Sequence, residues 1–252
     1  MTMSRTSVTV NQTAGGTLGG SSAHNVRNHL RLGNKAYDEA IRRFIPGYEQ
    51  MLAAAADAVA SVSPGLVLDL GAGTGALSEV LLARRKIGSV QLIDVDPEML
   101  EKARERLSRF GGKARFSLRS FEDPLDPCGA VAASLSLHHI PTLEAKASLF
   151  KRIFTALRPG GVFVNADVNM PEDHPERDRL YRYWADHLVA NGIAEERAWQ
   201  YFKEWSDEDT YLPREAELNE LRQAGFEAEC MWADGPVGVL SAKKANDTPS
   251  GT

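Results

Sequence analysis

Cysteine is scarce in this chain, which has only Cys128 and Cys230 among its 252 residues. The two lie far apart without the CxxC or Cys/His spacing of a metal site, so neither a disulfide scaffold nor a structural zinc site is indicated. Long apolar runs are missing as well, which excludes a membrane span, and the polar N-terminus lacks the apolar core of a secretory signal. We therefore expect a cytoplasmic protein with reduced thiols and no membrane partner.

Basic residues are also fewer than acidic residues. The chain has 29 Lys and Arg against 34 Asp and Glu, a formal net charge of −5, and it contains no Lys/Arg-rich run. A partner held mainly through phosphate groups needs a basic surface, so this balance disfavours nucleic acid. We expect a small molecule as the partner, and a homodimer is compatible with the composition.

Both ends of the chain differ in composition from its middle. Residues 1–28 are rich in Gly, Ser, Thr and Asn, and they predict a flexible arm because so few apolar side chains cannot offset the entropy of ordering. Residues 245–252 predict a flexible tail for the same reason. The remaining segment, 29–244, has the composition of one globular domain.

Strand and helix patterns alternate through this domain. A helical segment interrupted at Pro46-Gly47 comes first. Strands are then predicted at 66–70, 89–94, 114–118, 130–137 and 161–166, with helices at 76–86, 97–109 and 142–157. Because helices connect successive strands, the pattern predicts βαβ crossovers and a doubly wound parallel sheet with helices on both faces.

The end of the domain adds an antiparallel element. After a predicted helix at 214–224, two apolar segments at 226–232 and 237–242 are separated by only four residues. Such a short connection requires an antiparallel pair, since a parallel return needs a dozen residues or more. The predicted fold class is therefore α/β, with a mostly parallel seven-stranded sheet that has one reversed strand at its end.

The alternation is interrupted at residues 168–211, which lack a clear strand and concentrate Tyr, Trp and Phe. This segment follows the carboxyl end of the fifth strand, where doubly wound sheets bind their ligands. We therefore predict a mobile helical lid that closes over the substrate and excludes water. Its candidate substrate-binding residues are Tyr181, Trp184, Trp199 and Phe202. The alternative is that these aromatics form the core of a small helical subdomain.

A glycine-rich turn, Gly71-Ala72-Gly73-Thr74-Gly75, follows the first strand and precedes a helix. Glycine permits a tight turn and lets a ligand approach backbone amides at a helix N-terminus. The spacing is G-x-G-x-G and not the G-x-G-x-x-G of dinucleotide sites, so NAD and a nicotinamide-dependent oxidoreductase are disfavoured. Asp69 precedes the turn, and Asp94 ends the next strand where a carboxylate can accept hydrogen bonds from ribose hydroxyls. The combination predicts a nucleoside site without a phosphate.

Four segments, LVLDLGAGTGALS, LIDVDPEML, SLSLHHIP and ALRPGGVFV, resemble in order and spacing the class I S-adenosylmethionine-dependent methyltransferases over roughly residues 35–244. The resemblance implies a Rossmann-like fold, S-adenosyl-L-methionine as cofactor, and methyl transfer to an O, N or C atom of an acceptor. We expect this acceptor to be a small molecule. The cofactor-binding residues that the resemblance and the glycine turn suggest are Tyr48, Asp69, Gly71, Ala72, Gly73, Gly75, Asp94, Val95, Ser120, Phe121 and Ser134.

Within this family, FIPGYEQM, ANGIAEERAWQYFKEW and LNELRQAGFEAECMW resemble carboxy-S-adenosylmethionine synthase. That synthase binds the extra carboxylate of its product with a lid arginine, and the aligned residue here is Phe202. Without that cation an added carboxylate would be poorly held, so plain S-adenosylmethionine is favoured. The usual acid of the adenine motif is Ser120 here, and Glu122 or Asp123 could substitute for it. A synthase-like or tRNA-modifying enzyme and a non-catalytic cofactor-binding module are the alternatives.

His138 and His139 follow the fourth strand and Asp167 ends the fifth, at the edge of the sheet where ligands bind. Neutral imidazole is suited to removing a proton near neutral pH, so these three are the candidate catalytic residues, with packing or capping as the alternative for the histidines. A base is needed only if the acceptor atom must lose a proton. His174 and His187 are isolated and no cluster shows metal spacing, so we expect no metal.

Overall fold

The computed structural model describes residues 34–246, with side chains from residue 39 onward. The predicted N-terminal arm at 1–28 lies outside the described residues, as does the predicted tail from residue 247 on. Within the described range, no helix is both long enough and apolar enough to cross a membrane. Cys128 is buried, Cys230 is half-buried, and both are free thiols.

Strands and helices alternate along the described chain as the sequence predicts. The strands are β1 (Leu66–Leu70), β2 (Ser89–Asp94), β3 (Ala114–Leu118), β4 (Cys128–Ser134), β5 (Leu157–Val168), β6 (Glu227–Asp234) and β7 (Val237–Lys243). The helices are α1 (Asn34–Phe44), α2 (Tyr48–Ala60), α3 (Ala76–Leu82), α4 (Pro97–Leu107), α5 (Leu143–Ala156), α6 (His174–Ala190), α7 (Glu195–Trp205) and α8 (Arg214–Gln223). Short 3-10 helices occur at Ser108–Lys113 and Leu137–His139.

The seven strands of the described chain form one sheet in the order β3-β2-β1-β4-β5-β7-β6. Strands β1 to β5 pair in parallel, with helices in the β1–β2, β2–β3 and β4–β5 connections and a loop between β3 and β4. β7 runs antiparallel to both of its neighbours, β5 and β6, so it is the reversed strand. The predicted fold class is confirmed with one refinement: β7 is inserted between β5 and β6, and β6 forms the edge.

Helices cover both faces of the sheet, which explains why its central strands are apolar on both sides. Along β1, Val67 packs on the face covered by α2, α3 and α4, whereas Leu68 and Leu70 pack on the face covered by α5 and α8. β4 follows the same alternation with Ala and Val side chains. The two cores fix the carboxyl ends of β1, β2 and β4 relative to one another.

Two strand boundaries differ from the sequence prediction by three residues or more. β4 stops at Ser134, short of residue 137, because Leu135 adopts φ = +50°, in the left-handed region that ends an extended strand. β5 begins early, at Leu157, and pairs with β4 across a register irregularity between Cys128 and Ala130. The segment after β4 is therefore a turn and not part of the strand.

The insertion between β5 and α8 contains two helices, α6 and α7, that pack against each other. Trp184 of α6 is 1% exposed, and its Nε1 donates a 2.6 Å hydrogen bond to the carbonyl oxygen of Phe44 in α1. From α7, the rings of Phe202 and Trp205 lie 5.0 and 5.4 Å from the Trp184 ring. The aromatic segment thus forms a helical core that is continuous with the main domain.

Candidate active site

A cavity of about 450 Å³ opens at the carboxyl ends of β1, β2 and β4. Doubly wound sheets bind ligands at this edge, and the volume is typical of small-molecule sites. The sequence-predicted site residues that line the cavity are Tyr48, Asp69, Gly71, Ala72, Gly73, Asp94, Val95, Ser120, Phe121, Ser134 and His139. The structure therefore brings nearly all the predicted cofactor-binding residues together around one space.

The glycine turn presents bare backbone to the cavity. The backbone N–H groups of Gly71 and Ala72 donate to the carbonyl oxygen of Ile93, at 2.9 and 3.2 Å, and tie the turn to the end of β2. Gly71 has φ = +64°, and a Cβ there would lie 2.6 Å from Ser136 Cβ, so a larger residue does not fit. Gly73 has φ = +52° and open space where a side chain would stand. A ligand can therefore approach this backbone closely.

Gly75 has a packing role at the start of α3. It precedes α3 with φ = +78°, and a Cβ there would meet Ala103, Leu92 and Leu107 at 3.1–3.3 Å. Among the described residues, the cavity lining does not include it. Gly75 therefore allows α3 to pack closely on α4 and β2, and its contact with the cofactor stays a prediction.

Asp94 ends β2 and faces the glycine turn. Its Oδ2 accepts a 2.7 Å hydrogen bond from the Gly73 N–H, and its Oδ1 accepts a 2.8 Å bond from the Asp96 N–H. Burial raises the pKa of the Asp94 carboxyl, and these backbone donors oppose the increase. A carboxylate has about four lone-pair directions, so acceptor capacity remains for ribose hydroxyls. Asp96 caps α4 and accepts hydrogen bonds from the backbone N–H groups of Glu98 and Met99.

Asp69 is a buried carboxyl near the end of β1. It is 1% exposed, and its Oδ2 accepts a 2.5 Å hydrogen bond from the Ser78 hydroxyl in α3. Burial raises the pKa of Asp69 to about 7, although the Ser78 bond opposes the increase. This carboxyl therefore changes charge near neutral pH, and a cationic ligand group beside it would favour the ionised form.

The loop after β3 supplies a further wall of the cavity. Phe121 and Glu122 line it, whereas Asp123 is not among the described lining residues. Ser120 accepts a 3.0 Å hydrogen bond on its Oγ from the Glu122 N–H and so shapes the turn. Of the two acids that could substitute for Ser120, Glu122 is the one at the cavity. Arg152 of α5 fixes this loop, because its Nη1 donates to the carbonyl oxygens of Phe121 and Glu122 at 3.1 and 2.6 Å.

The two histidines after β4 have different environments. His139 lines the cavity, whereas His138 is buried, with Nδ1 2.6 Å from Asp167 Oδ1. Asp167 Oδ2 also accepts hydrogen bonds from the N–H groups of Leu137 and His138, both at 3.1 Å. Burial alone lowers the pKa of His138, but the carboxylates of Asp167 and Asp209 raise it above its ordinary value.

His138 and Asp167 form a buried pair beside the cavity. Neither is among the described residues that line the cavity, whereas His139 is. Burial alone would raise the pKa of Asp167, and the contact with His138 lowers it below its ordinary value. The pair positions the turn after β4, and the catalytic roles of all three residues stay predictions.

Asp209 completes the cluster and has no signal in the local sequence. Its Oδ1 lies 3.1 Å from His139 Nδ1 and 3.7 Å from His138 Nε2, and its Oδ2 accepts a 2.6 Å hydrogen bond from the Tyr211 hydroxyl. The residue follows α7, far along the chain from the histidines. Only the packing of the insertion against the turn after β4 brings these groups together.

Other side chains shape the cavity without a recognisable signal in the sequence. Leu135 and Ser136 line it, but they extend an apolar strand pattern and give no turn signal. Ser136 Oγ donates a 2.8 Å hydrogen bond to the Leu70 carbonyl oxygen and joins the turn after β4 to the end of β1. Arg106 of α4 holds the glycine turn through the carbonyl and hydroxyl oxygens of Thr74, at 3.1 and 3.0 Å.

The four predicted substrate-binding aromatics lie elsewhere. Tyr181, Trp184, Trp199 and Phe202 are all missing from the described lining of the cavity. Trp184 and Phe202 are buried, the Tyr181 ring packs 5.2 Å from Phe202, and Trp199 is 36% exposed beneath the Arg182 guanidinium. Their rings pack mainly on one another, and substrate binding by these four residues stays a prediction.

Known proteins share both sequence and architecture with this chain. Residues 67–161 match a family described as a methyltransferase domain. An O-methyltransferase family protein from Burkholderia thailandensis superposes with a TM-score of 0.64 at 18% identity, over 90% of this chain and 62% of that protein. An amino pentose methyltransferase from Micromonospora echinaspora, solved with S-adenosylmethionine bound, superposes with a TM-score of 0.59 at 18% identity, over 85% and 98% of the two chains. At these identities the structural likeness concerns the fold.

The fold, the cavity and the matched domain define the class: the chain is a class I S-adenosylmethionine-dependent methyltransferase, an enzyme with S-adenosylmethionine as its cofactor. More particularly, it is similar to the carboxy-S-adenosyl-L-methionine synthase of Aeromonas salmonicida, with 26% identity over 80% of this chain and 87% of the relative. The residues present fit this cofactor. Bare backbone at Gly71 and Gly73 adjoins the Asp94 carboxylate, and no described lining residue is Lys or Arg, which a pyrophosphate would favour.

Proposed function

We propose that the enzyme transfers the methyl group of S-adenosylmethionine to an O, N or C atom of a small-molecule acceptor. The composition of the cavity wall carries this proposal. Asp94 and Glu122 supply acceptors for a nucleoside, Ile140 and Pro141 supply apolar surface, and no described lining residue is Lys or Arg. Such a wall suits a neutral acceptor with an apolar body, and it offers no cation for a phosphate or an added carboxylate.

Each cofactor-facing residue has a role that follows from its place in the cavity. S-adenosylmethionine supplies an electrophilic methyl group on its sulfonium, so the protein mainly provides orientation and excludes water. Asp94 accepts hydrogen bonds from the ribose hydroxyls, Phe121 offers an apolar face to adenine, and Glu122 can accept from the adenine amino group. Tyr48 and Ser134 lie on the methionine side, as the family resemblance implies.

Proton removal from the acceptor is assigned to His139, the imidazole in the described lining. A hydroxyl or amine acceptor can give its proton to a neutral imidazole near neutral pH. His138 and Asp167 act as positioning residues, since Asp167 holds His138 and the His138 ring lies 4.2 Å from that of His139. An acceptor atom without a proton would need no base.

A synthase-like function is the second candidate, favoured by the likeness to the Aeromonas salmonicida carboxy-S-adenosyl-L-methionine synthase over 80% of the chain. Two observations weigh against it. The residue aligned with the lid arginine, Phe202, is buried among other aromatics, and the described lining offers no guanidinium or ammonium group for the added carboxylate. A non-catalytic binding module is the candidate of another class, and it would bind the cofactor without turnover.

We also propose a cellular location and a class of binding partner for the enzyme. The scarcity of cysteine and of long apolar runs supports a cytoplasmic location and no membrane partner. The net charge of −5 supports a small-molecule acceptor over tRNA or another nucleic acid. A homodimer is compatible with this function and requires a measurement of solution mass.

Two measurements test the proposed function. Mass spectrometry of the cofactor that copurifies should find S-adenosylmethionine or S-adenosylhomocysteine. Supplied with S-adenosylmethionine and pooled hydroxyl, amine and carbon acceptors, the enzyme should form S-adenosylhomocysteine above the acceptor-free rate. Asp94→Ala should retain less copurified cofactor and need a higher cofactor concentration for turnover, and Asp178→Ala, which removes an exposed carboxylate on α6, should behave as wild type does.

Each contrary result points to one alternative. Recovery of mainly the carboxylated cofactor would replace methyl transfer with a synthase-like function. Turnover on tRNA with none on the small-molecule pools would replace the acceptor class. Tight cofactor binding with no turnover on any pool would favour the binding module.

A further inference from the structure

Three side chains of metal-ligating type meet beside the cavity. His138 and His139 belong to the 3-10 helix after β4, and Asp209 follows α7. One ligand atom from each residue lies within 4.8 Å of the other two. Asp209 Oδ1 contacts both histidines and is 3.1 Å from His139 Nδ1 and 3.7 Å from His138 Nε2. The Thr210 N–H donates a 2.8 Å hydrogen bond to the His138 carbonyl oxygen and holds the two segments together.

Asp167 determines which nitrogen of His138 faces this cluster. His138 Nδ1 lies 2.6 Å from Asp167 Oδ1, and an ionised carboxylate can only accept, so Nδ1 carries the hydrogen. In a neutral imidazole, Nε2 then presents its lone pair towards Asp209. A histidine whose other ring nitrogen donates to a carboxylate has the arrangement usual for metal ligands.

Asp209 is oriented in a similar way. Its side chain is 1% exposed, and its Oδ2 accepts a 2.6 Å hydrogen bond from the Tyr211 hydroxyl. Its Oδ1 is thereby directed at the two histidines. Ligating carboxylates in metal sites are commonly held by such a second hydrogen bond.

The charges in this region favour a bound cation. Asp167 and Asp209 are both buried, and a buried carboxylate is costly unless its charge is compensated. The Lys146 Nζ pairs with Glu217 Oε1 at 2.5 Å and is therefore already engaged with another carboxylate. A divalent ion bound between the two histidines and Asp209 would supply compensating positive charge.

We propose that His138 Nε2, His139 Nδ1 and Asp209 Oδ1 bind one divalent transition-metal ion of the Zn²⁺ type. Two imidazoles and a carboxylate form the ligand set of open zinc sites, and imidazole ligands disfavour Mg²⁺ and Ca²⁺. Metal–ligand bonds of about 2.0–2.1 Å place neighbouring tetrahedral ligands about 3.3–3.4 Å apart. The separations of 3.1 and 3.7 Å between Asp209 Oδ1 and the two ring nitrogens bracket that value, and the two ring nitrogens lie within 4.8 Å of each other. This site departs from the sequence expectation of no metal, because Asp209 lies far along the chain from the two histidines.

An ion held here would stand in the cavity wall, because His139 lines the cavity. Three protein ligands leave a coordination position for water or for a polar atom of a bound molecule. If that atom belongs to the acceptor, a step that rests on the proposed function, the acceptor class is a hydroxyl compound whose proton the ion makes easier to lose. The ion then takes the place of His139 in promoting proton loss, because an imidazole bound to metal through Nδ1 has no free lone pair to act as a base.

The test measures metal binding and not turnover. Full-length protein, stripped with a chelator, is titrated with Co²⁺, whose visible spectrum reports N/O ligation, and Zn²⁺ competition and elemental analysis give the stoichiometry. Wild type should bind one Co²⁺ per chain. Asp209→Asn and His139→Gln should each weaken binding by more than about a hundredfold, and Tyr211→Phe by about tenfold. Asp207→Asn, which changes an exposed carboxylate two residues from the site, should bind as wild type does.

Circular dichroism verifies folding, and His139→Gln and Tyr211→Phe carry the test if Asp209→Asn does not fold. The metal site would be ruled out if folded wild type gave no Co²⁺ spectrum, or if the folded ligand variants bound Co²⁺ with wild-type affinity. The three side chains would then be joined by hydrogen bonds alone. Calorimetry with S-adenosylmethionine on the same samples separates this result from the proposed function. Intact cofactor binding and methyl transfer in metal-free protein would show that methyl transfer does not depend on the ion.

Discussion

The glycine turn at 71–75 and the helical insertion at 168–211 use buried groups in opposite ways. At the turn, buried carboxylates and bare backbone face an open cavity, so part of their hydrogen-bonding capacity is directed at a ligand. In the insertion, Trp184 donates its indole N–H to the chain itself, and its ring packs against other rings. Hydrogen-bonding groups that face a cavity indicate a ligand-binding site. Aromatic rings that pack against other side chains indicate a contribution to the stability of the fold.

This comparison predicts that substitutions in the two regions separate folding from cofactor binding. Changes in the insertion core should lower the free energy of unfolding and leave the affinity of the folded protein for cofactor unchanged. Changes at the turn and its carboxylates should weaken cofactor binding and leave the free energy of unfolding unchanged, except where they alter a buried charge. Substitutions of Trp184, Asp69, Asp94 and Glu122 test this separation.

Trp184→Ala should give the largest effect, a loss of about 3–5 kcal/mol in the free energy of unfolding, because it removes a fully buried ring and its hydrogen bond to Phe44. Urea denaturation followed by circular dichroism measures the loss. Trp199→Ala is the matched control and should cost about 1 kcal/mol or less, since Trp199 is 36% exposed. Equal losses in the two variants would contradict a core centred on Trp184.

Asp69 should make stability depend on pH. Its pKa is about 7 in the folded protein against a reference value of 3.8, so the folded state keeps a proton that the unfolded chain releases. The resulting stabilisation is fully present below the unfolded pKa and is lost as pH rises through about 7, by at most about 4 kcal/mol.

Denaturation of wild type and Asp69→Asn across this pH range isolates the contribution of Asp69. The stability of wild type relative to the variant should fall between pH 3.8 and about 7, because the amide has no proton to lose. A constant difference between the two proteins over this range would show that burial does not raise the pKa of Asp69.

Asp94→Ala should weaken S-adenosylmethionine binding by about 1–3 kcal/mol, because buried ribose hydroxyls lose their acceptor. The sheet should stay folded, since Asp94 lies at the end of β2 and contributes no side chain to either hydrophobic core. Calorimetry measures the affinity, with Asp178→Ala as the control for loss of an exposed carboxylate. Unchanged binding in folded Asp94→Ala would show that another group recognises the ribose.

Glu122→Ala should give the smallest effect, a loss of about 0.5–1.5 kcal/mol in cofactor affinity through one hydrogen bond to adenine. Asp123→Ala is the matched control, because this neighbouring carboxylate is exposed and outside the described cavity lining. Calorimetry with a cofactor analogue that lacks the adenine amino group should remove the difference between the two variants. A difference that persists with this analogue would assign Glu122 a role other than adenine recognition.

Most residues expected to face the cofactor lie around one cavity, and their sequence signals are local. Gly71 has no room for a side chain, Gly73 adopts a positive φ that favours glycine, and Asp94 sits at a strand end fixed by the parallel register. These features appear as residue type and spacing within a short segment. The βαβ alternation and the antiparallel β6–β7 pair were predictable for the same reason.

The other half of the site depends on contacts between distant segments. Asp209 approaches His138 and His139 only after the insertion packs, and Arg152 reaches the loop after β3 from a helix further along the chain. Aromatic composition also could not distinguish a pocket from a core, because Trp and Tyr serve both. The direction in which a ring faces is set by packing and not by residue type.

We expect cofactor binding to be confined to the carboxyl edge of the sheet, and we expect the insertion to be part of the folded core. Hydrogen exchange of the protein with and without S-adenosylhomocysteine tests both expectations most directly. We expect α6 and α7 to be as protected as the central strands in the free protein, and added ligand to slow exchange chiefly at residues 71–75, 94–96 and 120–122. Fast exchange of α6 and α7 in the free protein, slowed when ligand binds, would contradict the account and restore a mobile lid.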